Sequence, residues 1–114
     1  MAANRIYLGI DTHSNLAVSL EHAGHGVFFI TVSAGAKDKD LCKFLCTEED
    51  LNRIVNGETI EVKGCAGRCT IHPLGTQIVF EFLLSGATEP SSCSIALNSF
   101  ERVVRLAKNR AYVV

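Results

Sequence analysis

What this 114-residue chain lacks narrows its function before any motif is considered. There is no surplus of charge: 11 Lys and Arg stand against 12 Asp and Glu, a formal net of -1. A chain so balanced projects no long-range field toward nucleic acid or anionic lipid. No apolar stretch approaches the roughly 18 residues of a membrane span; Val27–Val32 is the best candidate and is far shorter. The N-terminal MAANRIYLGID is interrupted by Asp11 before it can form the apolar core of a secretory signal, so the expected location is the cytoplasm.

Catalytic signatures are missing as well. The GxGxxG and P-loop patterns are absent, and GHG at 24–26 lacks the strand-to-helix setting that a phosphate cradle requires. Ser14, Ser19 and Ser33 have no nucleophile elbow around them. The cysteine count of five is odd, which argues against a fully paired disulfide scaffold.

What is present describes one globular domain, 1–114. Apolar residues make up 47% of the chain, too many for disorder, and the length suffices for one hydrophobic core without staples. Period-two alternation marks strands at Ile6–Ile10, Leu16–Glu21 and Val27–Ser33, joined by the polar turns DTHSN and HAGHG as a meander. Leu41, Phe44 and Leu45 then form a helical stripe, predicting a first short helix over the region ending at Cys46. A second begins at Thr47, with Asp50 completing a near capping box and Gly57 closing the helix.

Alternation returns at Thr59–Gly64, at Cys69–His72, and along Thr76–Leu84, where Ile78, Phe80, Phe82 and Leu84 share a face. Cys93–Asn98 reads as a short strand leading into a C-terminal helix whose buried stripe is Phe100, Val103, Val104 and Ala107. The expected fold is therefore α+β: an antiparallel or mixed sheet of six to seven short strands, with two short middle helices and the C-terminal helix packed on one face. Exposed sheet edges and the two-faced apolar segments VFFITV and IVFEFLL favour self-association or docking to another protein.

Several residue groups are candidates for chemistry. Cys42, Cys46, Cys65 and Cys69 form two i, i+4 pairs that could enclose a tetrahedral zinc, with His72 as a substitute ligand; the competing reading is cysteine packed as a small hydrophobe. A redox pair at Cys65 and Cys69 lacks the helix N-terminus that depresses a thiol pKa, although Arg68 adjoins Cys69. Asp11 and His13 occupy one polar turn, His22 and His25 another, and the meander places those turns at opposite ends of the sheet. Glu81 alternates with large apolar residues and either faces solvent or is half buried with a raised pKa. Arg102, Arg105, Lys108 and Arg110 form a basic helix face, which a solvated surface explains as well as a nucleic-acid contact does.

The sequence thus favours a small accessory domain that binds a ligand or protein without chemistry of its own. The alternatives are a small enzyme with a pocket lined by the histidines and Glu81, and a zinc-stabilised domain. A small-molecule ligand fits either scheme.

Overall fold

The computed structural model describes residues 5–34, 39–64, 67–83 and 86–113. The chain is an α+β fold built on one eight-stranded antiparallel sheet, β1 (Arg5–Asp11), β2 (Leu16–Gly24), β3 (Val27–Ala34), β4 (Lys39–Thr47), β5 (Ile60–Gly64), β6 (Gly67–Leu74), β7 (Gln77–Phe82) and β8 (Ser91–Ala96). The strands lie in sequence order, so every pairing is with a chain neighbour, and the sheet curls into a nearly closed barrel. Helix α1 (Glu48–Val55) follows β4 and helix α2 (Leu97–Val113) follows β8. Two units of four strands and a helix therefore succeed one another along the chain.

Alternation drives the curl. One face of the sheet carries Val18 and Leu20, Phe28, Ile30 and Val32, Phe44, Ile60 and Val62, Ile71, Ile78, Phe80 and Phe82, and Ile95, all buried. Leu51 and Ile54 of α1 and Phe100, Val103 and Val104 of α2 join the same core. Burying so continuous an apolar surface from both ends of the sheet favours bending it around the helices.

The two weak joins of the barrel are the ones the helices cover. The β4–β5 ladder has only Phe44 opposite Gly64 and Leu45 opposite Lys63, and α1 packs on β4, β5 and β6. Strands β8 and β1 share no ladder, and α2 packs across β1, β2, β7 and β8.

Helix α1 is punctuated as its sequence predicts. The Asp50 N–H donates to Thr47 Oγ1 at 3.1 Å while the Thr47 N–H donates to Asp50 Oδ2 at 3.0 Å, and Gly57 follows the cap with a left-handed φ of 90°. The Glu48 N–H donates to the Gly26 carbonyl at 2.8 Å, tying this helix start to the β2–β3 turn.

Three expectations are corrected. The segment expected as a first middle helix is strand β4, so among the described residues there is one middle helix and there are eight strands. LCKFLC supports two periods, a helical one through Leu41, Phe44 and Leu45 and a strand one through Cys42, Phe44 and Cys46. Pairing of Phe44 with Ile30 and Cys46 with Phe28 decides for the second. In β1, Ile6, Leu8 and Ile10 do not share a face. A register shift between Tyr7 and Gly9 turns Ile10 outward, where it is 52% exposed, and sets Gly9 opposite Val18. Helix α2 begins at Leu97, inside the segment expected as the strand Cys93–Asn98, and the Leu97 N–H is taken by the Thr76 carbonyl at 2.9 Å.

Gly64 marks the tightest approach in the sheet. A Cβ there would collide with the Lys43 carbonyl oxygen and sit 3.2 Å from the Phe44 Cα, both backbone atoms of β4. Gly64→Ala must push β5 off β4, and we expect it to lower unfolding stability by about 1–3 kcal/mol, the usual cost of overpacking. Urea unfolding followed by circular dichroism would show this as a lower midpoint with an unchanged slope.

Candidate functional site

Asp11 closes the barrel. It ends β1, and its Oδ2 accepts the Ser94 N–H of β8 at 2.8 Å, 83 residues away in sequence. Its Oδ1 accepts the His13 N–H at 2.8 Å and the Ser14 N–H at 3.4 Å. The adjacent turn is locked by the Asn15 N–H on the Asp11 carbonyl at 2.7 Å, with Asn15 in the left-handed region at φ 57°. At the same seam Gly9 approaches Ile95 so closely that a Cβ would lie 3.2 Å from the Ile95 Cγ2. Burial pushes the Asp11 pKa up, but the N–H groups of Ser94, His13 and Ser14 and the Ser14 hydroxyl outweigh it and hold the carboxyl below its ordinary value. Both oxygens are committed to structure.

The four histidines do not converge. His13 lies in the exposed turn after β1 and His25 in the turn after β2, at the two ends of β2. His25 holds a left-handed φ of 36°, and His22 packs its ring against Phe28 with centroids 5.3 Å apart. Among the described residues only His72 meets a carboxylate: its Nε2 lies 2.7 Å from Glu81 Oε1. An ionised carboxylate only accepts, so Nε2 carries the proton and Nδ1 is the free ring atom when the imidazole is neutral.

The register explains this contact. His72 pairs with Val79, and Glu81 pairs with Thr70, which makes the two diagonal neighbours on the outer face of β6 and β7. Ser94 and Ser92 continue those rows on β8. Glu81 faces outward and is about half exposed. The pair orients an imidazole, but among the described residues no hydroxyl or thiol is hydrogen-bonded to it as a nucleophile.

The cysteines lie inside. Cys42, Cys46, Cys69 and Cys93 are buried and unpaired. Burial pushes the thiols up, Cys42 to about 11, Cys46 to about 12 with help from the Asp50 carboxylate, and Cys93 to about 12 with help from Asp11. Cys69 is raised by burial and then by Cys42, Cys93 and Glu81. As protonated thiols they pack as small hydrophobes. Because β4 is a strand, Cys42 and Cys46 are separated by about 13 Å along it, against the few ångströms between sulfurs on one tetrahedral ion. Cys65 lies outside the described residues. Among the described residues no group of three or more His, Cys, Asp and Glu is placed to hold a metal ion, and no helix is long and apolar enough to cross a membrane.

The outer surfaces of the two four-strand units differ. On β5–β8 the outward side chains include Glu61, Lys63, Arg68, His72, Gln77 and Glu81, with Arg68 3.8 Å from Glu61, and the exposed Leu74 at the end of β6. On β1–β4 they include Tyr7, Ile10, Phe29, Leu45 and, at the end of β4, Asp40, around the buried Ala17, Ser19, Thr31 and Ser33. Two opposite charges on this face cancel: Lys43 Nζ lies 3.6 Å from Glu21 Oε1 and 5.1 Å from the Phe29 ring centre. Tyr7, Ile10 and Leu45 are about half exposed. Of the basic helix face, Arg102 and Arg105 are exposed; the side chains of Lys108 and Arg110 lie outside the described residues.

No protein-family model matches the chain, and no curated protein and no solved structure is detectably similar to it.

The Asp11 seam carries a pH signature. A carboxyl held below its ordinary value stabilises the fold fully above the unfolded-state pKa, and that contribution is lost as pH falls through the lower folded-state value. We expect Asp11→Asn to cost about 1–2 kcal/mol at neutral pH, the scale of a charge-assisted hydrogen bond. The same variant should lose less stability than the parent on acidification below the ordinary Asp value of 3.8. Urea midpoints measured at neutral pH and through the acid limb check both parts.

Proposed function

We propose that this protein is a small binding module without catalytic chemistry of its own, and that its contact surface is the outer face of β1–β4. The observation that carries this reading is the contrast between the two outer faces. The β5–β8 face is dressed mainly with charges, its exposed Leu74 standing at the end of β6, whereas β1–β4 presents Tyr7, Ile10 and Leu45 half exposed together around a Lys43–Glu21 pair, with Asp40 at the rim. Side chains of this kind form the apolar centre of protein contacts, and depletion of net charge is the compositional mark of such centres. A second copy of the chain is the partner this face fits first, since a surface carrying both signs, Lys43 beside Glu21 and Asp40, is electrostatically compatible with itself. Four strands about 4.8 Å apart give a narrow patch, small beside the roughly 800 Å² per partner of a standard stable interface. The association is accordingly weak and concentration-dependent.

An enzyme reading has one foothold, the His72–Glu81 pair, whose free Nδ1 is available as a proton acceptor. It ranks second because Asp11 is committed to the seam and the other three histidines lie elsewhere. Turnover in a broad hydrolase substrate screen, abolished by His72→Ala, would reverse the ranking.

Sedimentation velocity over a wide concentration range tests the leading reading. The parent chain is expected to gain mass reversibly with concentration, and Leu45→Glu to remain monomeric with unfolding stability within about 0.5 kcal/mol of the parent, as for other surface substitutions. A parent that stays monomeric throughout, or a Leu45→Glu variant that associates equally well, contradicts it.

A further inference from the structure

The most enclosed polar groups among the described residues do not lie in the core. Ser19 and Thr31 are fully buried and Ser33 is 1% exposed, all three on the side of the sheet opposite the apolar interior. They are neighbours. Ser19 stands directly opposite Thr31 in the β2–β3 ladder, and Ser33 is two residues along β3 on the same face. Cross-strand partners have Cβ atoms about 5 Å apart and same-face neighbours along a strand about 7 Å, so the three side chains are close neighbours on one face.

Each is also without a hydrogen-bond partner in the protein: Ser19 Oγ, Thr31 Oγ1 and Ser33 Oγ are all unsatisfied. The flanking cation does not serve them. Lys43 is paired with Thr31 across β3 and β4, but its ammonium is drawn to Glu21 and the Phe29 ring. Nor does the backbone, since in a sheet its N–H and C=O groups are spent on the ladder. A hydroxyl that is buried and unpaired is worse than the apolar residue of the same shape. Ala17, buried opposite Ser33 on this very face, shows that a small apolar side chain fits here. Three adjacent polar residues where apolar ones would pack as well point to a bound group that pairs with them.

We infer that Ser19, Thr31 and Ser33 form an internal hydration site on the outer side of β2 and β3, holding ordered water between them. Buried waters make about three hydrogen bonds to otherwise unsatisfied groups, and three neighbouring unpartnered hydroxyls supply that number. Each hydroxyl both donates and accepts, so one water satisfies the set whichever way it is oriented. The three hydroxyls are themselves uncharged, and the charged residues opposite them on β4, Lys43 across from Thr31 and Asp40 across from Ser33, are of opposite sign. The inference stands independently of whether the β1–β4 face is a contact surface.

The test combines a high-resolution crystal structure of the parent chain with thermal unfolding of Ser19→Ala, Thr31→Val and Ser33→Ala. Density for water within hydrogen-bond reach of at least two of the three oxygens is expected. Each single variant should lower Tm by on the order of 4 °C, and the triple variant by less than the sum, because the first loss already weakens a shared water. A dry site overturns the inference. So do variants that melt at or above the parent temperature, the signature of hydroxyls that were simply unpaired.

Discussion

The structure depends on how an eight-stranded sheet closes without a ladder between its first and last strands. A fully hydrogen-bonded barrel would pair β1 with β8. Here the side chain of Asp11 replaces that pairing, accepting the Ser94 N–H while also holding the turn that follows β1. Gly9 supplies the space, since a side chain there would press on Ile95. Closure of this kind leaves α2 free to pack across the seam from the apolar side, just as α1 packs across the short β4–β5 join. Each helix covers one of the two weak strand junctions between the units.

This architecture assigns the inner face to stability and leaves function to the outside. The interior is filled by strand and helix side chains, including four thiols whose burial keeps them protonated. Asp11, the most conspicuous acid of the turns, is consumed by closure. What remains for interaction is the surface, and there the two halves diverge. The second half pairs its charges with one another, Glu61 with Arg68 and Glu81 with His72, contacts worth little to stability where they are exposed. The first half clusters half-exposed apolar side chains around the Lys43–Glu21 pair, with Asp40 at its rim. The proposed binding role rests on that asymmetry between units with the same order of elements.

Much of the fold was legible because its contacts are local. Every strand pairs with its chain neighbour, so alternating segments separated by polar turns were enough to place β1, β2, β3 and β7. The reciprocal bonds of Thr47 and Asp50 lie within one helical turn and were readable for the same reason. Strand β4 was not, because Leu41–Cys46 satisfies both a helical and a strand period and only its neighbour β3 chooses between them. The outward turn of Ile10 depends on a bulge that has no compositional signal beyond Gly9. The site was less legible than the fold. His72 meets Glu81 only through the register of β6 on β7, and Asp11 meets Ser94 only when the sheet has curled. Alternation did indicate that Glu81 faces one side with Val79, but nothing local indicated that a histidine would share that side one strand away.

Hydrogen exchange at the Ser94 amide is the most direct test of side-chain closure. Ser94 lies on the edge strand, where an unpaired N–H would exchange at nearly the rate of an open chain. The account predicts a strongly protected Ser94 amide in the parent chain. In Asp11→Ala that protection should be lost while the amides of the β2–β3 ladder stay slow. A Ser94 amide that exchanges freely in the parent, or one whose protection is indifferent to Asp11, would show that the barrel is not closed by this carboxylate.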